Sequence, residues 1–434
     1  MSNLCSFTGG VRLSRSSSEK QAGLSPIKPM PAPDRIRLSL AVDESLTVAE
    51  GDRVLVGQRI CEKSPIFSSV SGKVSEIELD ESGKPLSVVI ENDREDAPDP
   101  SLAPFTKKLT ETSADEIIDI IRRAGIRESE DGFSVANRIT CAVGGAKRLL
   151  INCTECEPFL ASRYRLVLER TTDILNGAKI LLRALAVAYA DIVIEESRLD
   201  AIRALEAVIG NNPLLRLRVT ATKYPQGDRR LVINSVTGKE PPVRQTTAQL
   251  GYVVFNAETC ADIFRAFAGG MPQIERTVTV GGDCIKEPSV ISVRVGTPLS
   301  EIVSFCGGFS HKPKRTICGG VMKGSAISDG EHYVSSKDTA FLFLSKGYVN
   351  AGSGSACLRC GKCVESCPMH LLPLYLAKHA EKGNIKKSLA MGLKSCIECG
   401  TCTYNCPGGV EHVYHIRRAK EAYNAGITKE EGDE

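Results

Sequence analysis

The hydrophobic pattern changes period several times along the chain, and each change marks a different kind of element. From Ile36 to about Asn92 apolar positions come in short alternating runs, broken by glycines at 51, 57, 72 and 83. Period-two alternation predicts strands with one buried face, and their even spacing predicts a small β-sandwich. Near Ser113 the period lengthens. Ser113 and Glu116 have the spacing of a capping box ahead of Ile117, Ile118, Ile120 and Ile121, so a helix should run to about Gly125. Residues 148–152 then read as a buried strand, followed by a polar turn and one long helix over about 163–188. Strand 191–195, a helix over 198–209, strand 216–222 and strand 252–255 come next. Strand alternating with helix predicts a parallel α/β sheet, with ligands beyond the carboxyl ends of its strands. Candidate chemistry therefore falls at 152–158 and 223–227.

From Glu275 to about Gly324 short strands return, at 277–280 and 290–295, with a short helix after Pro298; this reads as a small β-grasp-like module. Gly352 to Ser355 reads as a linker. Helices are expected over 371–380, 385–393 and about 412–425, with His412 and His415 on the surface of the last. Residues 1–35, rich in Ser, Pro and basic side chains, give no sign of a helix or core. They read either as an extended arm packed on another domain or subunit, or as a disordered leader. The fold class is multidomain α+β. Its parts are an arm (1–35), a barrel-sandwich domain (36–105), an α/β flavin- or nucleotide-type domain (106–262), a β-grasp module (263–345), a helical two-cluster ferredoxin domain (346–425) and a tail (426–434).

Composition adds bounds rather than direction. The chain has 434 residues, 42% hydrophobic and 25% charged, as expected of several ordinary globular domains. A net charge of +3, spread along the chain, gives no electrostatic case for nucleic acid. The most apolar window, 180–194, carries Arg183 and Asp191 and falls short of the roughly 18 residues a span needs. Any work at a membrane would come through partners.

The 17 cysteines change the picture. Nine are scattered, which suits a reducing, anaerobic cytosol. The other eight fall in two runs, Cys357-x2-Cys360-x2-Cys363-x3-Cys367-Pro368 and Cys396-x2-Cys399-x2-Cys402-x3-Cys406-Pro407. Three cysteines on a tight loop supply three corners of an iron–sulfur cuboid, and in two-cluster ferredoxins the fourth ligand comes from the other run. The spacing assigns Cys357, Cys360, Cys363 and Cys406 to one [4Fe–4S] cluster, and Cys396, Cys399, Cys402 and Cys367 to the other. Zinc also accepts Cys-x2-Cys pairs, but the full pattern occurring twice argues for iron and sulfide.

The phrases at 51–58 and 69–74 resemble biotinyl/lipoyl-type barrel-sandwich domains. With Phe7 to Gly10, Glu155-Cys156-Glu157-Pro158, Lys223 to Gly227, Thr237-Gly238, Phe305 to Phe309, Leu371 to Leu374 and the two cysteine runs, nearly the whole chain resembles the C-subunit family of Rnf complexes. These are membrane-bound, ion-translocating ferredoxin:NAD oxidoreductases. The α/β and β-grasp parts are also similar to the flavin subunit of respiratory complex I. The resemblance implies FMN and NAD(H) sites, with Glu155, Glu157, Lys223 and Gln226 as candidate contacts. It further implies membrane subunits and an iron–sulfur subunit as partners, and a place on the cytoplasmic face of the plasma membrane.

One stretch departs from that pattern. Where the family has a glycine-rich loop ending in Gly-Phe-Pro-Thr, this chain has Arg127 to Val135, which keeps one glycine and carries Glu128, Glu130 and Asp131 where a phosphate should lie. Carboxylates there oppose a phosphate in both charge and space. Asp228 likewise follows Gly227 where a second glycine is usual, and Cys153 stands where a small residue is usual. Three readings stay open: a subunit that keeps FMN and NAD(H) through a shifted loop, a relay or scaffold subunit without its own hydride chemistry, and a soluble iron–sulfur flavoprotein of the cobalamin-reductase kind.

Overall fold

The computed structural model describes residues 4–13, 17–41, 43–129, 131–242, 245, 247–328, 332–347 and 357–426. The Gly352 to Ser355 linker, Glu130 and nearly all of the 426–434 tail lie outside these residues.

The arm is more ordered than its composition suggests. It forms helix α1 (Ser17–Leu24) and a two-residue strand β1 (Lys28–Pro29), which corrects the expectation that no helix forms there. Ala22 of α1 is fully buried against Ala161 and Val290, so tertiary packing overrides a weakly patterned sequence. Strands β2 (Arg35–Ser39), β3 (Arg53–Val54), β4 (Gly72–Leu79) and β5 (Pro85–Asn92) form an antiparallel sheet in the order β2-β5-β4-β3. Its core holds Ile36, Leu38, Val54, Val74, Val88 and Ile90, which the alternation picks out.

The α/β domain runs through α2 (Ala114–Arg123), α3 (Val135–Ala142), β6 (Arg148–Asn152), α4 (Ser162–Glu169), α5 (Thr171–Leu185), β7 (Ala190–Glu195), α6 (Leu199–Ile209), β8 (Leu215–Thr220), α7 (Arg229–Thr237), β9 (Tyr252–Asn256) and α8 (Ala257–Gly269). The capping box is present: the Ser113 hydroxyl accepts from Glu116 N, and the Glu116 carboxylate accepts from Ser113 N. The single helix expected over 163–188 is two helices. Arg170, at φ −123° and ψ 27°, ends one and starts the other, with no glycine or proline to announce it. All pairs in the sheet are parallel, in the order β8-β7-β6-β9. The chain steps one way from β6 to β8 and then returns to the far side of β6. The order thus reverses between β6 and β9, the place where such sheets open a ligand crevice.

The third unit contains β10 (Glu275–Gly281), β11 (Ser289–Arg294), α9 (Leu299–Phe305), β12 (Arg315–Cys318), β13 (Ser325–Ile327) and β14 (Ala340–Leu344). Its mixed sheet, β1-β11-β10-β14-β12-β13, takes the arm as an edge strand. The last unit is helical: α10 (Lys362–Glu365), α11 (Pro373–Glu381), α12 (Ile385–Ala390), α13 (Thr401–Tyr404) and α14 (His412–Asn424). Leu376, Leu393 and Ile416 centre its core. His412 is 1% exposed within it, contrary to the surface position expected. No helix among the described residues is long and apolar enough to cross a membrane.

Candidate functional site

The two cysteine runs fold as near-copies. Gly361 and Gly400 take φ of 81° and 80°, and Arg359 and Glu398, each two residues into its run, both take 53°. These left-handed residues turn the loop so that backbone N–H groups point at sulfur. Arg359 N donates to Cys357 Sγ at 3.3 Å, Glu398 N to Cys396 Sγ at 3.4 Å, Leu371 N to Cys367 Sγ at 3.4 Å and Val410 N to Cys406 Sγ at 3.3 Å. Donors on thiolate sulfur are the usual means by which a protein sets an iron–sulfur potential. Each run closes a cavity together with a cysteine from the other. Cys357, Cys360, Cys363 and Cys406 line one of about 210 Å³, and Cys396, Cys399, Cys402 and Cys367 line a tighter one of about 20 Å³. The donor set is all sulfur and pairs crosswise, which fits two [4Fe–4S] clusters.

The two cavities differ in setting. Cys357 and Cys360 are exposed, whereas Cys367, Cys399 and Cys402 are buried. The buried set faces the α/β domain. There Tyr224, 2% exposed, donates its hydroxyl to the Cys399 carbonyl at 2.7 Å, with a longer 3.3 Å contact to Glu157 Oε1. The arm threads the same seam. Val11 and Tyr224 exchange backbone hydrogen bonds at 2.9 and 2.8 Å, and Gly10 N donates to Ser366 O at 2.9 Å. Gly9, at φ 74°, lies so close to the first run that a Cβ would sit 2.8 Å from Cys367 O.

The candidate flavin and nucleotide contacts come to the same strand ends but are already engaged. Glu155 Oε2 accepts Arg163 N at 2.7 Å, capping the start of α4. Glu157 accepts Met322 N at 3.2 Å and Lys323 N at 3.1 Å. Burial pushes both carboxyls up to about 7, against the pull of Arg163 on Glu155 and of the two backbone donors on Glu157. Lys223 Nζ donates to Phe7 O at 2.9 Å and lies over the Phe7 ring. Gln226 is fully buried and pairs with Ser235 at 3.0 Å. Between them remains a cavity of about 30 Å³, walled on one side by Leu13 of the arm. Cys153 is packed in the domain core, and Asp228 caps α7 by accepting Arg230 N at 3.0 Å.

The departing loop folds inward. Glu128 N donates to Phe133 O and Gly132 N to Glu128 O, each at 3.0 Å, which closes the loop on itself. The Glu128 side chain is fully buried at the reversal point of the sheet. Its Oε2 accepts Asn256 Nδ2 at 3.0 Å and Arg229 Nη2 at 3.3 Å, and its Oε1 lies 3.4 Å from Asn256 N. Asp131 takes Arg229 Nη1 at 2.5 Å and Arg138 Nη2 at 2.9 Å. Burial alone would raise Asp131, but Arg229 and Arg138 overcome it and hold the carboxyl at about 2. Tyr224, Asn256 and Arg229 were not singled out from the sequence. Tyr224 sat inside a motif read for its neighbours, and Asn256 was legible as the polar end of an apolar strand.

Comparison with known proteins agrees with this architecture. The C subunit of the proton-translocating ferredoxin:NAD(+) oxidoreductase complex of Clostridium ljungdahlii is 35% identical over 394 residues, covering 87% of this chain and 85% of that protein. The chain belongs to this C-subunit family. Its counterpart in the Na(+)-translocating ferredoxin:NAD(+) oxidoreductase complex of Acetobacterium woodii is likewise 35% identical, covering 80% of this chain and 81% of its own. The counterpart in the ion-translocating oxidoreductase complex of Rhodobacter capsulatus is 33% identical, covering 85% and 74%. Family models match along the chain: the RnfC barrel sandwich hybrid domain at 5–95, the Nuo51 FMN-binding domain at 121–265, the SLBB domain at 277–325 and the 4Fe-4S dicluster domain at 356–410. Among solved structures, the NAD+-reducing [NiFe]-hydrogenase in its air-oxidized state shares the fold, with TM-score 0.52 at 15% identity over 74% of this chain and 68% of that one. The match to an FMN-binding domain is one of fold. The residues at this chain's strand ends do not fit the cofactor, because the Glu128 carboxyl lies at the anion position and the candidate contacts are already paired within the chain.

Proposed function

We propose that this chain is an electron-transfer subunit of a membrane-associated, ion-translocating ferredoxin:NAD oxidoreductase, working by way of two [4Fe–4S] clusters. The observation that carries it is the crosswise grouping of eight cysteines into two cavities, one buried against the α/β domain and one open to solvent. Cys357, Cys360, Cys363 and Cys406 would hold the outer cluster, and Cys396, Cys399, Cys402 and Cys367 the inner one. When bound, such clusters exchange single electrons, with potentials set by hydrogen bonds to sulfur and by exposure. The chain supplies those donors through Arg359, Glu398, Leu371 and Val410, and shields the inner site with Tyr224 and the arm.

The exposed end, rimmed by Leu358 and Tyr375, would face the membrane subunits and the iron–sulfur subunit of the complex. The chain would then sit peripherally, at the cytoplasmic face. Anaerobic purification should give about eight iron and eight sulfide per chain. Cys406→Ala and Cys367→Ala should each halve that content, and each should remove the cluster of the opposite run, as read by EPR. Zinc in place of iron, or loss of the same-run cluster in each variant, would sink the assignment.

A further inference from the structure

We infer that the ligand crevice of the α/β sheet is closed by the chain's own carboxylate, Glu128, and that this subunit holds no flavin mononucleotide. The inference deepens the relay reading and rests on it for the source of electrons. Flavin content and metal content are independent measurements, so either reading can fail alone.

The crevice is fixed by topology. The sheet order reverses between β6 and β9, and their last residues, Asn152 and Asn256, are joined by a side-chain hydrogen bond of 3.0 Å. Asn256 also stands at the N-terminus of α8, a 13-residue helix whose free N–H groups and dipole favour an anion. Arg229 adds a cation. An amide donor, a helix start and a guanidinium together make a phosphate cradle, and here the group inside it is the Glu128 carboxyl. Its carboxylate takes Asn256 Nδ2 and Arg229 Nη2, and it is fully shielded from water.

The lid over it is fastened as well. Ser129 is fully buried and accepts from Asn256 Nδ2 at 3.2 Å. Arg127 reaches back to Gly132 O at 3.1 Å, and the Lys337 chain lies where a Gly132 side chain would be. A phosphate entering here would have to expel a buried, paired carboxylate and leave it without partners. A buried polar group stripped of its hydrogen-bond partners is destabilising. Without a flavin the chain has no group that splits a hydride into single electrons. Electrons therefore reach its clusters one at a time, from a partner.

The test uses the whole, cluster-loaded chain purified anaerobically. Flavin is extracted with acid and quantified on the sample assayed for iron and sulfide, and the intact protein is then titrated with FMN while flavin fluorescence is followed. The expected result is full iron and sulfide, no stoichiometric flavin and no saturable quenching. About one FMN per chain, or saturable quenching at that stoichiometry, would overturn the inference and leave the clusters standing. Full flavin exclusion with no iron would overturn the relay reading instead. Glu128→Ala adds a second measurement: emptying the cradle should tighten binding of inorganic phosphate by at least about tenfold over the parent chain. Equal binding by both would show that Glu128 is not what fills it.

Discussion

Glu155 and Glu157 leave the same turn yet face different neighbours, and each is poised to titrate near neutrality. Burial raises both carboxyls to about 7, while an unfolded glutamate titrates near about 4.3. A raised folded-state value means that the folded chain binds protons the unfolded chain does not. The stability this lends is fully present below the unfolded value and is lost as pH climbs through about 7. The melting temperature of the cluster-loaded protein should therefore fall between about pH 5.5 and about pH 8. Glu157→Gln keeps an acceptor for Met322 N and Lys323 N but cannot ionise, so it should flatten that slope; an unchanged slope would remove Glu157 from the account. Tyr224 makes a sharper prediction. Tyr224→Phe deletes the donor to the Cys399 carbonyl, leaving a buried acceptor short of a partner at a cost of about 1 kcal/mol. In a redox titration followed by EPR, the midpoint of the inner site should move while that of the outer site stays in place.

At the scale of elements, close backbone approach decides what the chain tolerates. Gly177 lies in α5 where it crosses α8, and a Cβ there would fall 1.9 Å from the Cys260 carbonyl oxygen. Gly177→Ala must push the two helices apart through the centre of the α/β core. A loss of roughly 3 kcal/mol is expected, read as a lower denaturant midpoint. Elements whose signal is local were legible from the sequence. The α2 capping box, the buried strands β6, β7 and β9 and the doubled cysteine spacing each carry their own signature, and each appears where it was expected. Elements set by distant partners were not. α1 forms because Ala22 packs on Ala161 and Val290, and the 163–188 helix breaks at Arg170 without a breaker residue. His412 is buried because the face of α14 that carries it turns toward the cysteine loops. The candidate site was legible in the same proportion. Its chemistry could be read in the charge of the 127–135 loop, but the direction in which Glu128 points needed the fold of β9 and α7.

Over the whole molecule the cysteine sites form an axis with unlike ends. The inner four are packed under Tyr224, the arm glycines and the 322–323 turn, whereas Cys357 and Cys360 stand open to solvent beside Leu358, which is 64% exposed. An iron–sulfur site is lost when small oxidants or chelators reach its sulfurs, and reach depends on this packing. Limited ferricyanide treatment of the intact chain should therefore remove iron in two stages, the first ending near about four iron per chain. In Cys406→Ala, which keeps only the inner set, the fast stage should vanish; in Cys367→Ala only the fast stage should remain. Simultaneous loss of all the iron, or a fast stage surviving in Cys406→Ala, would mean that the asymmetry seen in the fold does not govern access. The same asymmetry bears on partners. The end that small oxidants reach is the end open to another protein, and a subunit docked over Leu358 and Tyr375 should slow the first stage while leaving the second unchanged.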